Sequence, residues 1–244
     1  MNRFLIALQF ITRIPVTKKL DYKEENIGSS MLYFPVIGSL LGLLLVGINY
    51  LGELYLPELV TNSLLLGGMV ALTGGIHLDG LMDTCDGIFS GRQKERVLEI
   101  MKDSRVGAFG VIGLVVLFIL KFSLFVEAPI ADKSLLLLYF PTISRWSIVY
   151  ATFHYPYVRK EGLGKAYVNH FTMTHFLLAT AWTMVLGIIL FGLTGIVIHL
   201  VSWLAVILIA KIIINQIDGL TGDSYGAINE FMEVAALLIM VVLV

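Results

Sequence analysis

The chain is poor in charged residues and contains a single cysteine. Only 14% of its 244 residues are Asp, Glu, Lys or Arg, and they leave a formal net charge of −1. Such a chain lacks the basic surplus with which nucleic-acid-binding proteins neutralise phosphates, so we expect no nucleic-acid partner. Cys85 alone excludes an internal disulfide and a multi-cysteine metal site. No cleavable signal is expected, because Arg3, Gln9 and Arg13 interrupt the apolar residues near the N-terminus.

Hydrophobic residues dominate the chain instead. They make up 57% of it and the mean hydropathy is +0.87, which excludes an ordinary soluble globule. Several apolar runs reach about twenty residues, the length that crosses a bilayer as a helix. We therefore expect an all-α, polytopic transmembrane helical bundle in a lipid bilayer, with residues 1–244 forming one integral-membrane domain. The runs predict about seven spans, at residues 34–56, 62–78, 107–126, 135–153, 176–194, 196–214 and 228–244.

The N-terminal segment differs from these spans. Residues 1–16 place apolar side chains such as Phe4 and Leu8 on one side of a helix that ends at Pro15. An amphipathic helix of this kind is expected to lie in the membrane interface instead of crossing it. The polar residues 17–30 are expected to form a loop.

The distribution of Lys and Arg predicts the orientation. Basic residues are concentrated in three segments, 3–23, 92–105 and 159–165, whereas the intervening connections contain none near Pro57 and only Lys133 in the other. Because basic loops stay in the cytoplasm, we expect these three segments to face it. We therefore expect a multi-pass membrane protein whose polar, glycine-rich segments all face one compartment, the cytoplasm.

An acidic stripe lies in the run Thr73–Gly87. On a helix, Asp79, Asp83 and Asp86 fall within about 60° of one another. Three like charges this close repel one another, and a divalent cation reverses the sign of that energy; carboxylate oxygens suit Mg²⁺ or Mn²⁺. The alternative is a solvated acidic helix start. The sequence therefore favours a metal site at a membrane edge.

The segment 100–110 follows this stripe. Asp103 is a candidate fourth carboxylate, and Lys102 or Arg105 are candidates to hold phosphate oxygens. A cytoplasmic turn whose positive charge serves topology explains the segment equally well.

Three basic residues fall within predicted spans. Arg145 lies about ten residues into its span, where a cation is costly unless it meets a polar cavity or a partner, so a functional role is favoured over a pair with another helix's carboxylate. Lys121 and Lys211 lie nearer the ends of their spans and are expected to snorkel to the interface.

Two further polar segments carry candidate ligand-binding residues. The loop 154–165 combines aromatic, basic and glycine residues around Arg159, which suits a flat or anionic ligand; interfacial aromatics with cytoplasmic charge are the alternative. Asp223, Glu230 and Glu233 are spaced to share a helical face. For this second acidic cluster a cation or polar pocket is slightly favoured over a structural role.

Together these residues indicate phosphate chemistry. Carboxylates, basic side chains and glycines that admit close backbone approach suit the handling of a phosphate or diphosphate. The sequence contains no P-loop pattern and no nucleophile elbow. We therefore expect a membrane enzyme that transfers a phosphorus-linked group from a nucleotide-activated donor.

At these motifs the sequence resembles the cobalamin synthase (adenosylcobinamide-GDP ribazoletransferase) family. The similarity covers essentially the full length, and one departure is Asp218, where a second glycine is expected. The matching segments are Phe10-Ile11-Thr12-Arg13-Ile14-Pro15, Phe34-Pro35-Val36-Ile37-Gly38, Thr73–Gly87, Met101–Gly110, Ser144-Arg145, Tyr157-Val158-Arg159 with Glu161-Gly162-Leu163-Gly164, and Leu220-Thr221-Gly222-Asp223 through Glu233.

The resemblance implies the last assembly step of the vitamin B12 nucleotide loop. In that family, adenosylcobinamide-GDP and α-ribazole, or its 5′-phosphate, are joined with release of GMP, and Mg²⁺ is used. On this resemblance we expect Asp79, Asp83 and Asp86, with Asp103, to hold Mg²⁺ against the donor diphosphate. An aspartate is preferred over His77 as the base, because His77 points away from the stripe unless Gly74-Gly75 break the helix. The candidate phosphate- or substrate-binding residues are Arg92, Lys102, Arg105, Arg145, Arg159, Asp223 and Glu230.

Other functions remain open from the sequence. Asp83-Thr84-Cys85-Asp86-Gly87, followed by Arg92, also resembles the core of CDP-alcohol phosphotransferases of membrane lipid synthesis. A transporter whose ion path includes Arg145 is less favoured, because no inverted repeat is visible. A structural subunit of a larger assembly is least favoured. The sequence leaves the oligomeric state open, and a homo-oligomer is compatible with it.

Overall fold

The structure is a computed structural model that describes residues 2–16, 18–159 and 161–244. The helices in these ranges are α1 (Asn2–Ile11), α2 (Glu24–Ser30), α3 (Phe34–Tyr55), α4 (Glu58–Thr73), α5 (Ile76–Ile88), α6 (Lys94–Ile100), α7 (Ala108–Glu127), α8 (Lys133–His154), α9 (Leu163–His170), α10 (Met173–Phe191), α11 (Leu193–Ile217) and α12 (Gly222–Leu243), with a 3₁₀ turn at Met31–Tyr33. Extended pairing within the described ranges is limited to one parallel bridge between Tyr157 and Leu220. The expected all-α class is confirmed.

Long apolar helices make this a multi-pass membrane protein. Of the described segments, five are long and apolar enough to cross a bilayer, and the bent pair α4–α5 adds a sixth if the two helices form one span. The five are Glu24–Tyr55, Ala108–Glu127, Met173–Phe191, Leu193–Ile217 and Gly222–Leu243. The expectation that all of residues 17–30 form a loop is wrong, because Glu24–Ser30 is helical and leads into α3.

The predicted span 62–78 is interrupted by a sharp bend. Gly74 and Gly75 have φ angles of 66° and 70°, in the left-handed region that side chains other than glycine rarely adopt. These two residues end α4 and start α5 at an angle of 93°. The acidic stripe therefore lies on a helix of its own that turns away from the preceding one.

Helix α8 forms the centre of the bundle. Every residue from 139 to 152 is buried, and α3, α10, α11 and α12 pack around it. A helix enclosed on all sides needs no lipid-facing apolar surface. This explains why the predicted span 135–153 is a 22-residue helix that tolerates Ser144, Arg145 and Ser147.

A buried ionic cluster joins α7, α8 and α12. Lys121, which is 3% exposed, lies with its Nζ 2.5 Å from Glu230 Oε2 and also pairs with Glu233. Arg145, fully buried, pairs with Glu233. Asn229 donates to both glutamates, at 3.3 and 3.2 Å.

This ionic cluster corrects two expectations. Lys121 does not snorkel, because two carboxylates hold it inside the bundle. Glu230 and Glu233 are neutralised by Lys121 and Arg145, so cationic side chains take the place of the cation or polar pocket that the sequence favoured. Lys211, in contrast, is exposed on α11.

Helix α1 packs on the protein. Its apolar side, including Ile6, Leu8 and Ile11, is buried against α2 and α3. The backbone N–H of Arg13 donates to the carbonyl oxygen of Leu72 at 2.6 Å, which joins the end of α1 to the end of α4. The N-terminal segment therefore forms part of the wall around the α4–α5 bend.

Candidate active site

Helices α5 and α12 cross in close contact. A Cβ atom placed on Gly80 would lie 2.7 Å from the carbonyl oxygen of Asp223, and one on Gly226 would lie 3.0 Å from that of His77. Because only glycine admits such an approach, this pair of residues sets the distance between the two helices. The crossing brings Asp223, from the second acidic segment, to the stripe on α5.

The aspartate stripe forms an acidic cluster at this crossing. Asp79 is exposed and Asp83 is half-buried. The carboxylates of Asp79, Asp86 and Asp223 all act electrostatically on that of Asp83. The sequence placed the first three aspartates on one stripe; the fourth joins them only through the α5–α12 contact.

Asp86 has a second set of partners. Its Oδ2 accepts from the backbone N–H of Gly107 at 2.7 Å, and its Oδ1 accepts from that of Gly110 at 2.8 Å. These amides belong to the start of α7, where unpaired N–H groups favour an anion. Asp86 therefore helps to hold α7 against α5. The sequence predicted Asp86 as a metal ligand and not in this structural role.

The connections on either side of α6 contain four predicted binding residues, Arg92, Lys102, Asp103 and Arg105. Arg105, 87% exposed, lies 2.5 Å from the Oδ2 of Asp103, and its guanidinium lowers the pKa of that carboxyl to about 2. Arg92 and Lys102 are exposed. None of these four residues lines either of the described cavities beside Asp79, and neither do Asp83 and Asp86.

Arg159 does reach the site. Its Nη2 donates to the Oδ2 of Asp223 at 2.5 Å and to the carbonyl oxygen of Met101 at 3.3 Å. The loop is held by backbone bonds on both sides of the Tyr157–Leu220 bridge, from Val158 N to Leu220 O at 2.9 Å and from Leu220 N to Pro156 O at 2.8 Å. Two segments that the sequence treated separately therefore form one wall.

Two adjoining cavities open at the cluster. The first, here called the aromatic cavity, has a volume of about 290 Å³, and the second, the Arg13 cavity, has a volume of about 460 Å³. Phe10, Ile76 and Asp79 line both of them. The aromatic cavity is also lined by Phe34, His77, Tyr157, Arg159, Glu161, Tyr167, Asp223 and Tyr225, and the Arg13 cavity by Gln9, Thr12, Arg13, Thr73, Gly74, Gly75, Leu78 and Met82.

His77 faces the aromatic cavity from the first turn of α5. It is 6% exposed, and within the described part of the chain its Nδ1 has no hydrogen-bond partner. The break at Gly74-Gly75 starts the new helix just before it. This bend brings His77 to the same cavity as Asp79, although the two point apart around α5.

The other predicted substrate-binding residues are enclosed. Arg145 and Glu230 belong to the buried ionic cluster, and neither lines the aromatic or the Arg13 cavity. The pairing of Arg145 with Glu233 is the structural alternative that the sequence also allowed for Arg145. Across the described ranges, no three His, Cys, Asp or Glu side chains are arranged as a metal site by themselves.

Sequence reasoning missed Phe10 and Arg13 as site residues. Both lie at the end of α1 and line cavities beside Asp79. The only signal for them was the segment Phe10–Pro15, which the family resemblance had marked. Asp218, the departure from the family pattern, has a left-handed φ of 59°, which explains why glycine suits this turn. Its side chain pairs with Lys94 at 2.8 Å.

Comparisons with known proteins agree along the whole chain. A family model described as cobalamin-5-phosphate synthase matches residues 3–241. Three similar relatives are each named adenosylcobinamide-GDP ribazoletransferase. The one from Geotalea daltonii is 39% identical over 242 residues, covering 99% of this chain and 97% of the relative. The one from Clostridium botulinum (strain Langeland) is 37% identical over 248 residues, covering 100% and 98%.

The third relative, from Desulforamulus reducens, is 39% identical over 232 residues, covering 93% of this chain and 91% of the relative. No solved structure matches the chain.

Proposed function

The chain belongs to the cobalamin-5-phosphate synthase family, and from this premise we propose that it acts as an adenosylcobinamide-GDP ribazoletransferase in nucleotide-loop assembly. The donor is adenosylcobinamide-GDP and the acceptor is α-ribazole or its 5′-phosphate. The products are adenosylcobalamin, or its 5′-phosphate, and GMP. The observation that supports this most is the full-length match combined with two cavities that meet at Asp79.

The proposed reaction is a displacement at phosphorus. The ribose 3′-hydroxyl oxygen of α-ribazole forms a bond to the phosphorus that carries cobinamide, and the bond from that phosphorus to the GMP oxygen breaks. GMP leaves with the electron pair, and the hydroxyl proton passes to a carboxylate. Asp79 is the proposed acceptor of the proton, because it is exposed and lines both cavities.

We also propose that Mg²⁺ acts at Asp79 and Asp83. The donor set fits, because Mg²⁺ is commonly bound by one or two carboxylates together with substrate phosphates and water. The described side chains do not form a cluster of three metal ligands, and a Mg²⁺ site of this kind does not require one. When bound, the ion would neutralise the diphosphate and favour departure of GMP. Asp86 and Asp103 are weaker candidates, because backbone amides and Arg105 already engage them.

The nucleotide released identifies the reaction. Purified protein in nanodiscs is offered adenosylcobinamide-GDP with α-ribazole, or a CDP-alcohol with diacylglycerol, both with Mg²⁺. We expect GMP from the first pair and no CMP from the second. CMP release without GMP release would assign the protein to lipid synthesis instead.

We further propose that the site faces the cytoplasm of a prokaryotic cell. The basic segments near Arg13, Lys94, Arg105 and Lys165 lie in connections at the site end of the bundle, as expected for cytoplasmic loops. Helix α12 begins at that end, so Val244 would be outside. Alkaline phosphatase fused after Val244 should be active in cells, and an inactive, stable fusion would reverse this orientation.

A further inference from the structure

The Arg13 cavity is lined by the guanidinium-bearing side chain of Arg13. Arg13 is exposed, and the described residues show no ion pair to its guanidinium. Its side chain crosses Gly74 so closely that a Cβ there would lie 1.9 Å from Arg13 Nε. The backbone bond from Arg13 to Leu72 fixes the start of this side chain. The absence of a side chain at residue 74 therefore gives the guanidinium its place beside the α4–α5 bend.

The same cavity is bordered by the start of α5. Within the described ranges no side chain caps this helix, whose N-cap is Gly75, and both Ile76 and Leu78 line the cavity. Unpaired N–H groups and the helix dipole favour an anion at such an end. A guanidinium and a helix N-terminus thus act together on one space of about 460 Å³.

The aromatic cavity is more acidic than the Arg13 cavity, in which the carboxylate of Asp79 faces the guanidinium of Arg13. Among the described residues, its lining contains three carboxylates, from Asp79, Glu161 and Asp223, and one guanidinium, that of Arg159, which is already paired with Asp223. A diphosphate would be repelled there. A flat, uncharged base would instead find ring surfaces.

Aromatic side chains supply those surfaces. Tyr157 and Tyr225 lie nearly parallel, with ring centroids 6.2 Å apart and an interplanar angle of 18°, and Phe34 packs against Tyr167 with centroids 5.8 Å apart. All four side chains line the aromatic cavity. Planar aromatic faces of this kind bind planar ligands by stacking.

We propose that the two substrates are divided between the cavities. The Arg13 cavity binds the guanosine diphosphate part of the donor, with Arg13 on a phosphate oxygen, and the aromatic cavity binds the base of α-ribazole. Asp79, which lines both, lies where the acceptor hydroxyl meets the phosphorus. This assignment rests on the proposed function. It makes Arg13 a donor-specificity residue that neither the sequence motifs nor the family name assigns.

Two-substrate kinetics with Arg13→Gln and Arg13→Lys test the assignment. A charge-assisted hydrogen bond supports about a tenfold to hundredfold effect. We expect Arg13→Gln to raise KM for adenosylcobinamide-GDP at least tenfold and to leave KM for α-ribazole within about twofold. Arg13→Lys should recover part of the loss. Lys19→Gln, which removes an exposed charge from the same segment, serves as the matched control.

The reciprocal variant is Tyr157→Leu. It should raise KM for α-ribazole more than KM for the donor, because it removes a ring from the aromatic cavity. If Arg13→Gln raises KM for α-ribazole and Tyr157→Leu raises KM for the donor, the assignment is reversed and the inference is wrong.

The 5′-phosphate of α-ribazole 5′-phosphate is an alternative phosphate ligand for Arg13. Kinetics are therefore repeated with α-ribazole 5′-phosphate. If Arg13→Gln raises KM only when α-ribazole 5′-phosphate is the acceptor, and not with α-ribazole, then Arg13 binds the acceptor phosphate and the inference is wrong. An equal increase in KM for adenosylcobinamide-GDP with both acceptors supports the inference.

A binding measurement separates this inference from the proposed function. GDP is titrated into wild-type protein and into Arg13→Gln protein in nanodiscs, without the other substrate. At least tenfold weaker binding by the variant is expected. Equal Kd values would overturn the inference even if the wild type releases GMP from the donor. Absence of that release would instead overturn the proposed function, while weaker GDP binding by the variant would still support the cavity's role.

Discussion

Breaking the charge balance of the buried ionic cluster should destabilise the protein, and restoring the balance should recover part of the lost stability. Lys121 and Arg145 face Glu230 and Glu233, so two cations oppose two anions inside the bundle. Lys121→Met leaves Arg145 alone against both glutamates. Glu230→Gln leaves Glu233 alone against both cations. The double variant again has one cation and one anion.

The structure sets the expected magnitude. Both side chains of the Lys121–Glu230 pair are nearly inaccessible, at 4% and 6% exposed, so water cannot replace a missing partner. Removing one member of a buried pair costs about 3–5 kcal/mol, because the other charge stays desolvated. At about 2–4 °C per kcal/mol for a chain of this size, each single variant should lose roughly 10 °C of thermal stability.

Thermal unfolding of the four proteins in one detergent or nanodisc preparation measures the effect. The double variant should be more stable than the sum of the single losses predicts, by at least about 1 kcal/mol. Lys211→Met is the matched control, since the same change at an exposed lysine should alter stability by less than about 0.5 kcal/mol. Additive losses, or a Lys121→Met protein as stable as the control, would refute the balanced cluster.

Three further predictions concern the site. Asp83→Asn should lower GMP release at least about a hundredfold in a folded protein, since it removes a charge proposed to bind Mg²⁺. Glu99→Gln, on the exposed side of α6, should leave GMP release unchanged. Similar rates in the two variants would contradict the role of Asp83. Arg159→Gln should lower transfer and increase proteolysis of the 154–165 loop, because Asp223 loses its 2.5 Å partner; unchanged proteolysis would argue against this anchor. Gly80→Val should cost about 1–3 kcal/mol by forcing α5 from α12, and a normal melting temperature would disprove the close crossing.

Much of the helical architecture was accessible from the sequence. Apolar runs of membrane-spanning length located the long helices, because lipid requires every backbone polar group to be bonded within its own helix. The spacing of Asp79 and Asp83 likewise placed both carboxylates on one side of α5. The sequence left open whether Gly74-Gly75 break the helix, since the apolar residues continue past Gly74, and the left-handed backbone of both glycines shows that they do.

The partners of individual charges were less predictable. Lys121 and Glu230 are separated by 109 positions, and their pairing depends on how α7 packs on α12. Asp86 carried the same acidic signal as its neighbours, yet the start of α7 engages it through backbone amides that no side-chain pattern reveals. Arg13 reached the site only because α1 packs on the bundle. Each case depends on contacts between helices, which local spacing does not determine.

We propose that this chain transfers a cobinamide phosphate from a guanosine-activated donor at the acidic cluster. The most direct test is GMP release from adenosylcobinamide-GDP, followed by chromatography, as α-ribazole and Mg²⁺ are added in turn to the purified protein. We expect GMP release only when both are present, and loss of release when the metal is chelated. GMP release that needs no α-ribazole, or no release with authentic substrates, would contradict it.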